Sequence, residues 1–375
     1  MNQKRSEIKR IVLTGGHAAT TALAVTEELI RRSGQKYIWD IFWIGTKRAL
    51  EGKKVLSIES VILPRAGVKF HPIITGRIQR KFTLWTIPSL LQIPFGFIHA
   101  LFIIKKIKPH IILSFGGFAS FPTVVIGWLL KIPIIMHEQT SVYGRANKLA
   151  SIFSNKILLA RESSLRFYPK EKSEVIGNPI LTQIANILPK SKMDIPPTIY
   201  ITGGSRGSVS LNSFFKEILN KLLSEYYVVH QTGYSDYKRF QKIRGSLSRN
   251  LKKRYELYPN IDPMQVDGVF KRADIVVSRA GANTVSDIIA ARRPAIFIPL
   301  PFAYKNEQYE NAIFAQNFGV AKVLSQNDLN SQKLYFEIQN LMKNWNKMVG
   351  KIKNKISPDV KASQKLVDIL EKQIE

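Results

Sequence analysis

Three turns in this chain hold the residue types from which an anion site is built, and each follows a short apolar run. They are Leu13-Thr14-Gly15-Gly16-His17, Thr202-Gly203-Gly204-Ser205-Arg206-Gly207 and Ser278-Arg279-Ala280-Gly281-Ala282. Glycine lets backbone N–H groups approach an anion closely, and a helix starting straight afterwards adds the positive end of its dipole. Ser205 offers an N–H and a hydroxyl to phosphate oxygens, and Arg279 offers a cation. His17 falls at the end of a strand, where an imidazole can take a proton near neutral pH; the other reading is a histidine that caps its own loop. Asp287 lies on the helix after the third turn. Its carboxylate could accept from both hydroxyls of a ribose, or it could be an acid on a solvated helix face.

Missing residue types narrow the chemistry. The chain has no cysteine, which rules out disulfides and thiolate metal sites. It also has no Asp-x-Asp, the carboxylate cluster with which one common design of nucleotide-sugar enzyme holds a divalent ion on the diphosphate. A diphosphate here would have to be neutralised by helix N-termini, loop N–H groups and Arg279. The expectation is therefore a site with neither metal nor cofactor.

The elements that must position these turns repeat one grammar twice. In the first half, Arg10–Leu13, Tyr37–Gly45, Ile111–Phe115 and Ile134–Met136 read as buried strands alternating with helices. In the second half Thr198–Ile201, Tyr227–His230, Ile275–Val277 and Ala295–Ile298 do the same, with a helix from about Val209. The boundary falls near Gly177-Asn178-Pro179, followed by a polar connector up to Pro197, and a closing helix begins at about Ser357. With 375 residues, this predicts two doubly wound α/β domains and a ligand cleft between them.

Charge points to a surface rather than to a nucleic acid. Lys and Arg number 56 against 27 Asp and Glu. From Ser60 to Arg161 the single acid is Glu138, while apolar Ile73, Ile74, Phe82, Leu84 and Trp85 are interleaved with Arg77, Arg80 and Lys81. No helix-turn-helix, zinc-finger or RNP pattern is present, and a basic rim around apolar side chains suits an anionic membrane; the alternative is a diffuse, lysine-rich surface. The N-terminus reads as polar, with no secretory apolar stretch. Ile87–Ile104 lacks formal charge, but Pro88, Gln92, Pro94 and His99 interrupt it, so it is expected to be a buried amphipathic helix rather than a span.

In order and spacing, the three turns resemble the family-28 glycosyltransferases that move N-acetylglucosamine (GlcNAc) from UDP-GlcNAc onto lipid I, the undecaprenyl-linked muramyl peptide. The resemblance covers nearly the whole chain. It is also carried by Gly116-Gly117-Phe118, His137-Glu138-Gln139, Gly177-Asn178-Pro179, and a run from Ala273-Asp274 through Pro294, Gln308 and Asn311 to Gly319. It implies a GT-B fold, two Rossmann-like domains facing an interdomain cleft. Residues 1–177 would form the acceptor and membrane-binding domain, with a C-terminal helix of about 357–375 packing back on it, and residues 178–356 the UDP-GlcNAc-binding domain. Transfer would invert the anomeric carbon and need no metal, giving lipid II for peptidoglycan synthesis at the cytoplasmic face of a bacterial membrane.

Carried over by position, Asp287 matches the ribose-binding acid and Ile261 the residue whose backbone reads the uracil edge. Gly204 and Ser205 match the diphosphate loop, with Arg279, Gly281 and Ala282 in the same donor-binding set, and Gln308 and Asn311 match the polar pair near the transferred sugar. Thr14, Gly15 and Gly16 belong to the acceptor-side motif and are counted with the donor contacts as well. His17 and Glu138 are the catalytic candidates; Gly116, Gly117 and Asn147 lie on the acceptor side. The sequence departs from the family pattern at Ala18-Ala19-Thr20-Thr21, at Thr140 for the usual Asn, at Leu181 and Arg206 for Arg and Gln, and at Asp287 for Glu.

Overall fold

The computed structural model of the chain describes residues 7–16, 18–48, 56–76 and 86–375, with the backbone alone for 86–91. The polypeptide forms two compact units. One is Met1–Thr182 together with Pro358–Glu375, the other Gln183–Ser357.

The first unit is built on strands β1 (Glu7–Thr14), β2 (Tyr37–Gly45), β3 (Lys69–Pro72), β4 (Ile111–Ser114), β5 (Ile134–Glu138), β6 (Lys156–Leu159) and β7 (Ser173–Val175). They pair in parallel in the order β3-β2-β1-β4-β5-β6-β7. Helices cover both faces, so the central strands are apolar without alternation: Ile11, Val12 and Leu13 are all fully buried, as are Ile111, Ile112 and Leu113. Helix Ala19–Arg32 packs between Ile58–Arg65 and the C-terminal Ala362–Gln373, and Phe121–Leu129 packs between Thr86–Ile107 and Arg145–Phe153. The chain order reverses between β1 and β4, which brings the loops after those strands side by side.

The C-terminal return is fastened to this unit by polar contacts that sequence alone does not announce. Asp359, fully buried, forms a bidentate pair with Arg161 (2.6 and 2.8 Å) and accepts from the Asn178 N–H at 2.8 Å. Gly177 sits alongside with φ +95°, where a Cβ would meet the Pro358 carbonyl oxygen at 2.6 Å. The regular closing helix starts at Ala362, a few residues beyond the expected Ser357.

The second unit repeats the design with β8 (Thr198–Thr202), β9 (Tyr227–Gln231), β10 (Tyr255–Tyr258), β11 (Ile275–Ser278), β12 (Ala295–Phe297) and β13 (Ala321–Val323). Their order is β10-β9-β8-β11-β12-β13, again parallel, with the reversal between β8 and β11. Its core runs from Ile199 and Ile201 through Phe215, Leu219 and Leu222 to Trp345, whose indole N–H donates to the Asp274 carbonyl.

The helix Thr86–Ile107 differs from expectation. Ala100, Ile103, Ile104 and Ile107 are buried, but Phe95, Ile98 and Phe102 on its other side are 64, 53 and 67% exposed. It is apolar on both faces rather than amphipathic. No helix of the described residues is long and apolar enough to cross a membrane.

Candidate active site

In the first unit, the two glycine loops at the strand reversal touch. The Gly16 N–H donates to the Gly116 carbonyl at 2.9 Å, and a Cβ on Gly117 would lie 3.1 Å from Gly16 N. Gly116 has φ +82°, and a Cβ there would fall 1.7 Å from Asn147 Oδ1, so only glycine fits. Asn147 holds this loop through Oδ1, which accepts from the Gly117 N–H at 3.2 Å. Thr14 is fully buried and donates to the Ile44 carbonyl, which makes it a brace of the sheet and not a ligand contact. Thr14, Gly15 and Gly16 lie in the first unit, next to Gly116, Gly117 and Asn147.

Glu138, at the end of β5, is the anchor of this arrangement. It is 2% exposed. One carboxylate oxygen accepts from the Thr140 N–H (3.2 Å) and hydroxyl (2.9 Å), and the other from Gly144 N–H (3.2 Å), Asn147 Nδ2 (2.8 Å) and Tyr168 Oη (2.8 Å). Burial and the adjacent carboxylate push the Tyr168 phenol well above its ordinary range, so it stays a donor. Five donors fill a carboxylate's acceptor sites, so Glu138 acts here by fixing Asn147 and, through it, Gly117. Thr140, which replaces the family's Asn, supplies two of those bonds. His17, the other catalytic candidate, lies outside the described residues.

In the second unit, the turns after β8 and β11 come together with the polar residues expected around a nucleotide sugar. Gly204 takes φ +78°, which presents the turn Gly204–Gly207 at the start of helix Val209–Glu225, and Ser205 at its tip is exposed. A Cβ on Gly204 would lie 4.0 Å from the Thr284 hydroxyl of the neighbouring helix Ala282–Ala291. That helix has Gly281 as its N-cap, in extended backbone with no side chain to cap it. Asp287 is half-buried on it; burial first, and the Asp287 charge only as a minor contribution, raise the Tyr200 phenol above its ordinary range. Asn311 donates to the Ala280 carbonyl at 3.2 Å, and Gln308 accepts from the Leu300 N–H at 3.0 Å. The turn leading to Gln308 carries Lys305 and Asn306 at φ +51° and +55°, a left-handed pair whose Lys member is rarely tolerated there.

Arg279 takes a different part from the one its sequence position suggests. It is 3% exposed, and its Nε, Nη1 and Nη2 donate to Ser208 Oγ, the Ile298 and Pro299 carbonyls, Ser210 Oγ and Gln326 Oε1. All five guanidinium N–H groups are thus committed. Burial pulls its pKa down to about 10, which still leaves a cation at neutral pH. Arg279 thus braces the N-cap Ser208 and the start of its helix, with its donors spent inside the protein.

Ile261, placed by sequence at the base end of the site, has its N–H already held by Gln231 Oε1 at 3.2 Å. Gln231 and its neighbour Tyr200 were not singled out by sequence. Gln231 ends β9, the strand next to β8, and position at a strand's C-terminal end is the signal that could have found it.

The surface residues divide. Ile73 is 4% exposed, because its N–H pairs with the Gly45 carbonyl and extends β3 by one residue, turning its side chain into the core; this corrects its assignment to a membrane patch. Ile74, next along, is 61% exposed. Arg77, Arg80, Lys81, Phe82, Leu84 and Trp85 lie outside the described residues. Sequence reading missed Trp128 and Leu129, at the end of the helix packed on Thr86–Ile107, and Leu149 and Ile152 on the helix next beyond it, all exposed, with Lys105, Lys106, Lys131 and Lys148 also exposed.

Two parallel Rossmann-like units, each with its glycine turn at the strand reversal, define the GT-B class of glycosyltransferase. Residues 13–159 match the glycosyltransferase family 28 N-terminal domain and residues 198–368 the family 28 C-terminal domain. The chain belongs to glycosyltransferase family 28. It is 31% identical over 349 residues to UDP-N-acetylglucosamine--N-acetylmuramyl-(pentapeptide) pyrophosphoryl-undecaprenol N-acetylglucosamine transferase 2 of Bacillus cereus, covering 90% of this chain and 92% of that one. The transferase of the same description from Legionella pneumophila (strain Paris) is 30% identical, with 97% and 96% covered. The crystal structure of Acinetobacter baumannii MurG superposes with a TM-score of 0.70 at 25% identity, over 97% of this chain and 99% of that one. UDP-GlcNAc 2-epimerase of Neisseria meningitidis, at 15% identity and a TM-score of 0.68, shares the fold.

Proposed function

We propose that this protein transfers GlcNAc from UDP-GlcNAc to the C4 hydroxyl of the muramyl sugar of lipid I, giving lipid II and UDP. The observation that carries this reading is the approach of the Gly204-Ser205 turn to the helix that bears Asp287, with Asn311 held on the Ala280 carbonyl just before that helix, in a chain about 30% identical along most of its length to transferases of that description.

Asp287 holds the ribose diol, the turn Gly204–Gly207 and the N-termini of Val209–Glu225 and Ala282–Ala291 face the diphosphate, and Gln308 and Asn311 lie toward the sugar. The acceptor hydroxyl attacks the anomeric carbon from the face opposite UDP. Its proton passes to a base, for which His17 is the candidate, and the bond from C1 to the diphosphate oxygen breaks with inversion. The first unit receives the acceptor, its Gly15-Gly16 and Gly116-Gly117 loops set by Asn147 and Glu138.

The same unit places the protein at its lipid substrate. Ile74, Phe95, Ile98, Phe102, Trp128, Leu129, Leu149 and Ile152 dip into the cytoplasmic leaflet, and the surrounding lysines and the segment Arg77–Trp85 meet its anionic head groups. Purified protein supplied with UDP-GlcNAc and, in parallel, lipid I, a polyprenyl phosphate and diacylglycerol tests the acceptor. A GlcNAc-bearing product with lipid I alone is expected; product only with another lipid moves the enzyme to a different acceptor.

A further inference from the structure

Gln231 stands at the meeting point of two parts of the proposed donor site. It is 5% exposed. Its Nε2 donates to the Gly204 carbonyl at 2.9 Å, while its Oε1 accepts from the Ile261 N–H at 3.2 Å and from Tyr200 Oη at 3.3 Å. Tyr200, 2% exposed, packs edge-on against Phe270. One side chain thus touches both the phosphate loop and the base-end turn, and is itself held by Tyr200.

Each of those pieces keeps its own shape without Gln231. The phosphate loop is closed by Gly204 N–H to Thr202 Oγ1 (3.0 Å) and Gly207 N–H to the Gly204 carbonyl (3.0 Å). The base-end turn is closed by Asp262, which accepts from Met264 N–H at 3.0 Å through Oδ1 and from Gln265 N–H at 2.8 Å through its carbonyl. What the Gln231 amide adds is the spacing between them. A ligand that bridges both ends gains from sites already held at its own length, because binding one end then delivers the other at high effective concentration.

We propose that Gln231 is a positioning residue of this enzyme, fixing the distance between phosphate loop and base-end turn so that a nucleoside diphosphate binds as one unit. This rests on the donor-site reading above. It separates the affinity of the whole nucleotide from the affinities of its halves, which a merely structural role does not.

The experiment is calorimetry and competition binding of UDP, uridine and inorganic pyrophosphate to the full-length parent, Gln231→Met and Tyr200→Phe, with a thermal melt of each. Methionine keeps the volume and removes all three bonds without adding charge; phenylalanine removes only the Tyr200 contact and serves if the methionine variant fails to fold. The expected result is that Gln231→Met binds UDP roughly tenfold more weakly, about the factor that one or two positioned hydrogen bonds give, while uridine and pyrophosphate stay within about twofold of the parent. Tyr200→Phe should show the same pattern more weakly. Equal weakening of UDP and uridine, or unchanged UDP affinity in both variants, overturns the inference. A parent that binds none of the three overturns the donor-site reading itself, a result distinct from either.

Discussion

Asp287 and Glu138 are both carboxylates near glycine turns, and their surroundings give them opposite work. Asp287 is half-buried midway along its helix, where loss of a charge-assisted contact to a ribose would cost roughly 1.5–3 kcal/mol. Asp287→Ala should therefore weaken UDP about 10- to 150-fold in a calorimetric titration, and an unchanged affinity would place the residue on a merely solvated face. Glu138 is sealed by five donors. Glu138→Gln turns an amide donor toward other donors and should lower stability by about 1–3 kcal/mol in urea unfolding. His17→Ala should instead leave stability and UDP affinity intact and reduce kcat by about 10²–10⁴-fold. The reverse pattern would make Glu138 the base. The residue types of this site were legible in the sequence, but these roles were not: Glu138 draws its partners from four later positions, Thr140 to Tyr168, and Arg279 from Ser208 to Gln326, and no local spacing reveals such contacts.

At the scale of elements, the central strands were readable because covered faces demand unbroken apolar runs, as in Ile111-Ile112-Leu113. The peripheral ones were not. β3 (Lys-Phe-His-Pro), β7 (Ser-Glu-Val) and β13 (Ala-Lys-Val) are short and half-polar, and only pairing with a neighbour makes them strands. The helix Thr86–Ile107 misled for the opposite reason. Its apolar residues exceed what one buried face can use, and Phe95, Ile98 and Phe102 are the surplus. If that surplus enters a leaflet, replacing Phe95, Phe102 and Trp128 together by Ser removes side chains each contributing about 1.5–3 kcal/mol on full burial. Co-sedimentation with anionic vesicles should then drop at least about tenfold, in high salt as in low, with UDP binding unchanged. Retained vesicle binding would return these residues to an ordinary surface.

Across the whole molecule, each unit buries a neutral imidazole. Burial lowers His137 to about 4 and His230 to about 3, from an ordinary 6.5. The unfolded chain takes up these protons below 6.5 and the native one refuses them, so stability is fully present above that value and falls as pH drops toward the native pKa values. Each imidazole should remove about 1.4 kcal/mol per pH unit in that window, on the order of 2 kcal/mol by about pH 5, where most carboxylates remain charged. Urea unfolding near neutrality and at about pH 5 reads this directly, and equal midpoints would contradict it. The transfer reaction, however, is what the two units together are proposed to perform. Its most direct measurement is the product formed by purified protein from UDP-GlcNAc and lipid I in detergent micelles containing EDTA, read by mass spectrometry and NMR. The expected product is lipid I carrying one added GlcNAc, β-linked to C4 of the muramyl sugar, with one UDP released for each. Release of free sugar, an α linkage, epimerised UDP-sugar, or no product until a divalent metal is restored would contradict an inverting, metal-independent transfer to lipid I.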